Sequence, residues 1–208
     1  MDVCKLDDFK RAFEKLDIEI DKEINSGDKE LEELSPLIVK AIGGFALLYH
    51  ELRIGAVTAD IDSTVGIPSC YKKIIKRVGK ELDIPEDWLN DHSKSDMALV
   101  EGKWESISWK LRHIQVYVLN TRELMLDKCG WAERNLSGNM LTDRDDVKDL
   151  NDFLGILWKL GIRYSNIDEL RTELSKFNFD IDDYPNVKQY IENDLNDDDI
   201  IWSEKTIK

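Results

Sequence analysis

The chain has 208 residues, 43 of them Asp or Glu against 29 Lys or Arg, for a formal net charge of −14. A field of that sign repels phosphate, so the global charge argues against wrapping long duplex DNA, and no run approaches the roughly 20 apolar residues that cross a bilayer. With 42% hydrophobic and 35% charged residues and only four prolines, the composition is that of a helix-rich folded protein rather than a disordered one.

Cys4, Cys70 and Cys129 are odd in number and far apart, a usage that fits reduced thiols and a cytoplasmic location. The opening MDVCKLDDFKRAF has no apolar stretch behind basic residues, so neither export nor membrane insertion is expected. His50, His92 and His113 show no zinc-ligand spacing.

Leu6, Phe9, Phe13, Leu16 and Ile20 recur at helical steps and predict an amphipathic first helix, ended at Asn25-Ser26-Gly27-Asp28. A short charged helix follows, Ser35-Pro36 interrupts it, and LIVKAIGG predicts a buried strand closing on paired glycines, with helix from Phe45 to about Leu52. VTADIDSTV alternates, which predicts a strand with Asp60, Asp62 and Thr64 on one side and Ala59, Ile61, Ser63 and Val65 on the other. Residues 69–82 predict a helix bearing Lys72, Lys73, Lys76, Arg77 and Lys80, more often a solvated face than a nucleic-acid patch. IPEDW predicts a short helical turn starting at Pro85, and 92–103 looks irregular.

WESISWKL and HIQVYVL predict two strands joined across Arg112-His113. Thr121 then caps a helix that carries Leu124, Met125, Lys128 and Ala132 and closes at NLSGN. Thr142 with Asp145 resembles a capping box ahead of a helix through Val147, Leu150, Leu154 and Trp158. Two further helices, near 167–177 and 184–195, flank FDIDDYP, and NDLNDDDI forms an acidic tail. The expectation is an α/β (α+β) chain: a small mixed sheet flanked by helices over residues 1–120, then a helical part over 121–208 that completes a cleft.

The constellation with chemistry in it is Gly43-Gly44 followed by Asp60-Ile61-Asp62. Two carboxylates at i and i+2 on a strand face the same way, where they can hold Mg²⁺, a hard cation that prefers oxygen ligands and substrate phosphates. Paired glycines at the start of a helix let backbone N–H groups approach a phosphate.

IGGFALLYHELRIGAVTADID resembles the signature of the nucleotidyltransferase superfamily, in which a Gly-Gly or Gly-Ser turn and a helix precede Asp-x-Asp. Its bacterial toxin-like branch (the DUF6036 and AbiEii-type group) is the nearest likeness. There GG-F/A-A-L and T-x-D-I-D are followed by a strand, a lysine-bearing helix and a helix opening R-x-D-x-x-D-L. Here those pieces are Gly43 to Leu47, Thr58 to Asp62, IQVYVL, ELMLDK ending in Lys128, and Arg144 to Leu150.

The resemblance implies that Asp60 and Asp62 bind a catalytic Mg²⁺ or Mn²⁺, that Gly43 and Gly44 cradle the triphosphate of an NTP, and that Lys128 and Asp146 complete the site. Ser63 is the expected further phosphate contact. The implied activity moves an NMP from the NTP to an acceptor hydroxyl on a tRNA end, a protein or a small molecule. A place in a toxin–antitoxin or defence pair, with a cognate antitoxin as partner, follows from the same likeness. Many members of the superfamily add a third carboxylate on a later strand; here Glu105 is the only acid on the two predicted strands. That departure supports the alternative of a catalytically inactive relative acting as an acidic interaction module.

Overall fold

The computed structural model describes residues 3–52, 57–93, 103–138 and 148–196. The chain has an α+β fold and divides into two compact units, one of Met1–Glu51 with Gly55–Thr121, the other of Leu52–Ile54 with Arg122–Lys208. No helix of the described residues is long and apolar enough to cross a membrane.

In the first unit α1 (Leu6–Asn25) lays Phe9, Ala12, Phe13, Leu16 and Ile20 into the core at three- and four-residue intervals, the stripe that a 3.6-residue period requires. After α2 (Lys29–Leu34), strand β1 (Leu37–Ala41) runs inward and ends at α3 (Gly43–Tyr49). β5 (Ile114–Leu119) pairs parallel with β1, Val39 opposite Val116, and antiparallel with β4 (Trp104–Ser106), which gives the sheet order β1-β5-β4. β2 (Ile61–Asp62) pairs in parallel with β3 (Leu89–Asn90), and an antiparallel bridge from Ala41 to Ser63 joins the two sheets.

Aromatic rings fill the space beneath. Phe13 lies 5.1 Å from Trp88 and 5.6 Å from Trp109, and Phe9 meets Phe45 edge-on at 5.6 Å, separations at which ring quadrupoles add to area burial.

Three predicted elements differ from what is observed. The strand in VTADIDSTV shrinks to two residues, because Thr58 is drawn to Cys4 by a backbone bridge and Ser63 folds its hydroxyl back on Val65. IPEDW forms an isolated turn rather than a helix, closed by the Trp88 N–H to the Pro85 carbonyl at 3.1 Å; it delivers β3, which the sequence pattern did not suggest. WESISWKL keeps strand geometry only over Trp104–Ser106.

α4 (Ser69–Leu82) spans the predicted residues. Four of its five basic side chains are taken up by carboxylates: Lys72 by Asp91 at 2.8 Å, Lys76 and Lys80 by Glu86 at 2.6 and 3.1 Å, and Arg77 by Glu19 and Glu23 at 3.1 and 3.0 Å. Glu86 is held below the usual carboxylate range by Lys76 and then Lys80. With most of its charges matched this way, the helix face offers little net attraction to a polyanion.

Among the described residues of the second unit, every regular element is a helix. α5 (Thr121–Leu136) is followed by α6 (Lys148–Lys159), α7 (Ile167–Ser175), a 3-10 turn at Ile181–Asp183 and α8 (Pro185–Asn196). Asn166 caps α7 by accepting from the N–H groups of Asp168 and Glu169, satisfying donors that a helix start leaves open. The expected capping pair Thr142 and Asp145 lies outside the described residues.

Candidate functional site

The site builds outward from the end of β1. Ile42 is extended, and its N–H donates to the Asp62 carbonyl at 3.1 Å. Gly43 then takes φ +61°, the left-handed region that a side chain disfavours. A Cβ placed on Gly43 would lie 3.9 Å from Asp62 Oδ2. The Gly-Gly turn that opens α3 therefore sits against the second aspartate of the pair.

The expected alternation holds in part. Ile61 and Ser63 are fully buried and Asp60 and Asp62 half-buried, whereas Thr64, expected on the side of the aspartates, is buried as well, since strand geometry covers only Ile61 and Asp62. The Ile61 N–H donates to the Trp88 carbonyl at 2.7 Å and the Ser63 N–H to the Asn90 carbonyl at 2.8 Å, which fixes β2 between β1 and β3. Asn90, in register with Asp62, donates from Nδ2 to Asp60 Oδ2 at 3.1 Å. Sequence reasoning missed this residue, and it carries no motif that would have flagged it.

Ser63 is buried, donates from Oγ to the Val65 carbonyl at 2.9 Å and accepts from the Val65 N–H at 3.2 Å. Its hydroxyl is engaged in the turn that ends β2. Asp91 is paired with Lys72 and also accepts the Ile67 N–H at 3.1 Å. Glu105 is exposed on β4, opposite Val118. The outward positions of β5 hold Gln115 and Tyr117, the Tyr117 hydroxyl donating to Gln115 at 3.2 Å.

Lys128 and Asp149 lie in the second unit. Lys128 Nζ is 2.7 Å from Asp149 and 3.3 Å from Asp152, with Lys128 only 3% exposed and Asp149 fully buried. Asp146 falls outside the described residues.

Among the described residues, no group of three or more His, Cys, Asp or Glu side chains is arranged to hold a metal ion. A pair of carboxylates nonetheless suits Mg²⁺, which keeps several waters and is usually held by one or two carboxylates together with substrate phosphates. The donor set of Asp60 and Asp62, beside a glycine that keeps the approach clear of a side chain, fits that ion on its chemistry. Compared with protein-family descriptions, with curated proteins and with solved structures, the chain finds no match in any of the three.

Proposed function

We propose that the protein is a Mg²⁺-dependent nucleotidyltransferase that moves a nucleoside monophosphate from an NTP to an acceptor hydroxyl. The observation that carries this reading is the seating of the Gly43 turn against Asp62, whose register partner Asn90 bonds the Asp60 carboxylate. Asp60 and Asp62 would hold the ion, which when bound supplies charge neutralisation at the reacting phosphate. Backbone N–H groups at Gly43 and Gly44 orient the triphosphate, since bare glycines admit it closely. Catalysis of this kind rests on positioning and electrostatics more than on covalent chemistry. In this reading the acceptor is an RNA end, a protein or a small molecule. A toxin–antitoxin or defence role with a partner protein belongs to the same proposal, as does a cytoplasmic location.

The test is calorimetry of each of the four NTPs with Mg²⁺ on the wild type and on an Asp60→Asn, Asp62→Asn double variant. Binding that the double variant loses is the expected result; equal binding by both, or none by the wild type, overturns the reading. One observation favours an inactive interaction module instead: Gln115 and Tyr117 stand on the open side of β5, where a third carboxylate would be sought. That alternative predicts that the double variant keeps every function of the wild type.

A further inference from the structure

Asn90 is an unusual residue to find 7% exposed on a two-residue strand, because a buried carboxamide is costly unless both of its ends are satisfied. Here both are. Oδ1 accepts the His92 N–H at 3.0 Å, closing an Asx turn, and Nδ2 donates to Asp60 Oδ2 at 3.1 Å. Because Oδ1 is committed to an N–H donor, the amide can present only its nitrogen to Asp60, so the orientation of the amide follows from the hydrogen bonds themselves. The backbone of Asn90 is fixed as well: its carbonyl receives the Ser63 N–H and it stands in register with Asp62.

Asp91, next along the chain, pairs with Lys72 and accepts the Ile67 N–H, while the Asn90 side chain reaches Asp60. Asp60 precedes the ladder residues of β2, so strand pairing alone does not orient its carboxylate. A neutral donor orients it without cancelling the negative charge that a cation requires.

We infer that Asn90 is a positioning residue for a divalent cation, holding the Asp60 carboxylate so that it and Asp62 engage the ion together. This rests on the cation-binding part of the proposed function. Partners that orient a ligating group typically change metal affinity by about 10–100-fold when removed.

The discriminating variant is Asn90→Ser. A serine at this position can keep the turn by accepting the His92 N–H with Oγ, yet it is too short to reach Asp60. Mn²⁺ binding by the full chain, without nucleotide, is read by electron paramagnetic resonance of the free ion, alongside the melting temperature of the metal-free protein. The wild type is expected to bind Mn²⁺ and Asp60→Asn to lose it. Asn90→Ser is expected to bind about tenfold more weakly with its melting temperature close to that of the wild type.

Wild-type Mn²⁺ affinity in Asn90→Ser overturns the inference and leaves the cation site standing. So does a lowered melting temperature with unchanged affinity of the folded protein, since that is the signature of a purely structural asparagine. Asn90→Ala, which breaks both hydrogen bonds, serves as the second variant; equal affinity there overturns the inference as well. Absence of Mn²⁺ binding by the wild type, or its persistence in Asp60→Asn, removes the cation site and the inference with it.

Discussion

The ammonium of Lys128 lies 2.7 Å from the carboxylate of Asp149, and both groups are withdrawn from solvent. Breaking such a pair from one side leaves a buried charge without that cation, which typically costs about 3–5 kcal/mol. Lys128→Met is therefore expected to lower stability in urea by about 3 kcal/mol, and adding Asp149→Leu to recover part of the loss. A single variant that loses under about 1 kcal/mol would mean that the pair is not held as described.

Gly79 lies in the middle of α4, where alanine would ordinarily stabilise by about 1 kcal/mol. The opposite is expected here. A Cβ at this position would approach the Pro85 carbonyl oxygen to 2.7 Å and Glu86 Cα to 3.1 Å, and backbone cannot yield as a flexible side chain can. Gly79→Ala should lose about 1–3 kcal/mol by thermal melting; a gain would show that the turn after α4 is free to shift.

Gly43→Ala tests the other glycine that geometry demands. At φ +61° a Cβ costs about 1–2 kcal/mol, and it would project beside Asp62 Oδ2. The variant should melt earlier and bind Mg²⁺-NTP more weakly than the wild type in the same calorimetric experiment. Full affinity in the folded variant would separate the Gly-Gly turn from the phosphate.

Burial pushes the hydroxyls of Tyr71 and Tyr164 up to about 12 and raises the Cys129 thiol, whereas an unfolded tyrosine ionises near 10. For groups raised in the fold, the stabilisation is complete below the unfolded pKa and is lost as pH rises through the folded one. Stability should therefore fall between pH about 10 and 12. In an absorbance titration at 295 nm, Tyr71→Phe and Tyr164→Phe should each remove a late-titrating ring. Titration of every tyrosine near pH 10 would contradict the burial.

The helices were readable because their apolar positions repeat over several turns: Phe9, Phe13, Leu16 and Ile20 mark α1, and Tyr71, Ile74, Ile75 and Val78 mark α4. β3 was not readable, since two residues carry no period and Leu89-Asn90 becomes a strand only because β2 lies alongside. The same limit governs the site. A shared side for Asp60 and Asp62 could be expected from strand parity within one segment, whereas the Asn90 contact joins residues thirty apart in sequence. Lys128 could be placed near an apolar face from its step after Leu124, but its pairing with Asp149 depends on how α5 meets α6. Ser63 faces inward because a local turn captures its hydroxyl, and a motif cannot distinguish that from a phosphate contact.

Trp88 is fully buried, stands edge-on to Phe13 and donates from Nε1 to the Ile75 carbonyl at 3.1 Å. Its own carbonyl receives the Ile61 N–H, one residue along the chain from each aspartate. In a variant whose other five tryptophans are replaced by phenylalanine, this indole becomes an optical gauge of the strand beside it: shielded from water, it emits toward the blue, and a shift of β2 would reach it through that hydrogen bond. Under the proposed function, occupancy of the aspartate pair would then be followed by fluorescence, on the timescale of mixing.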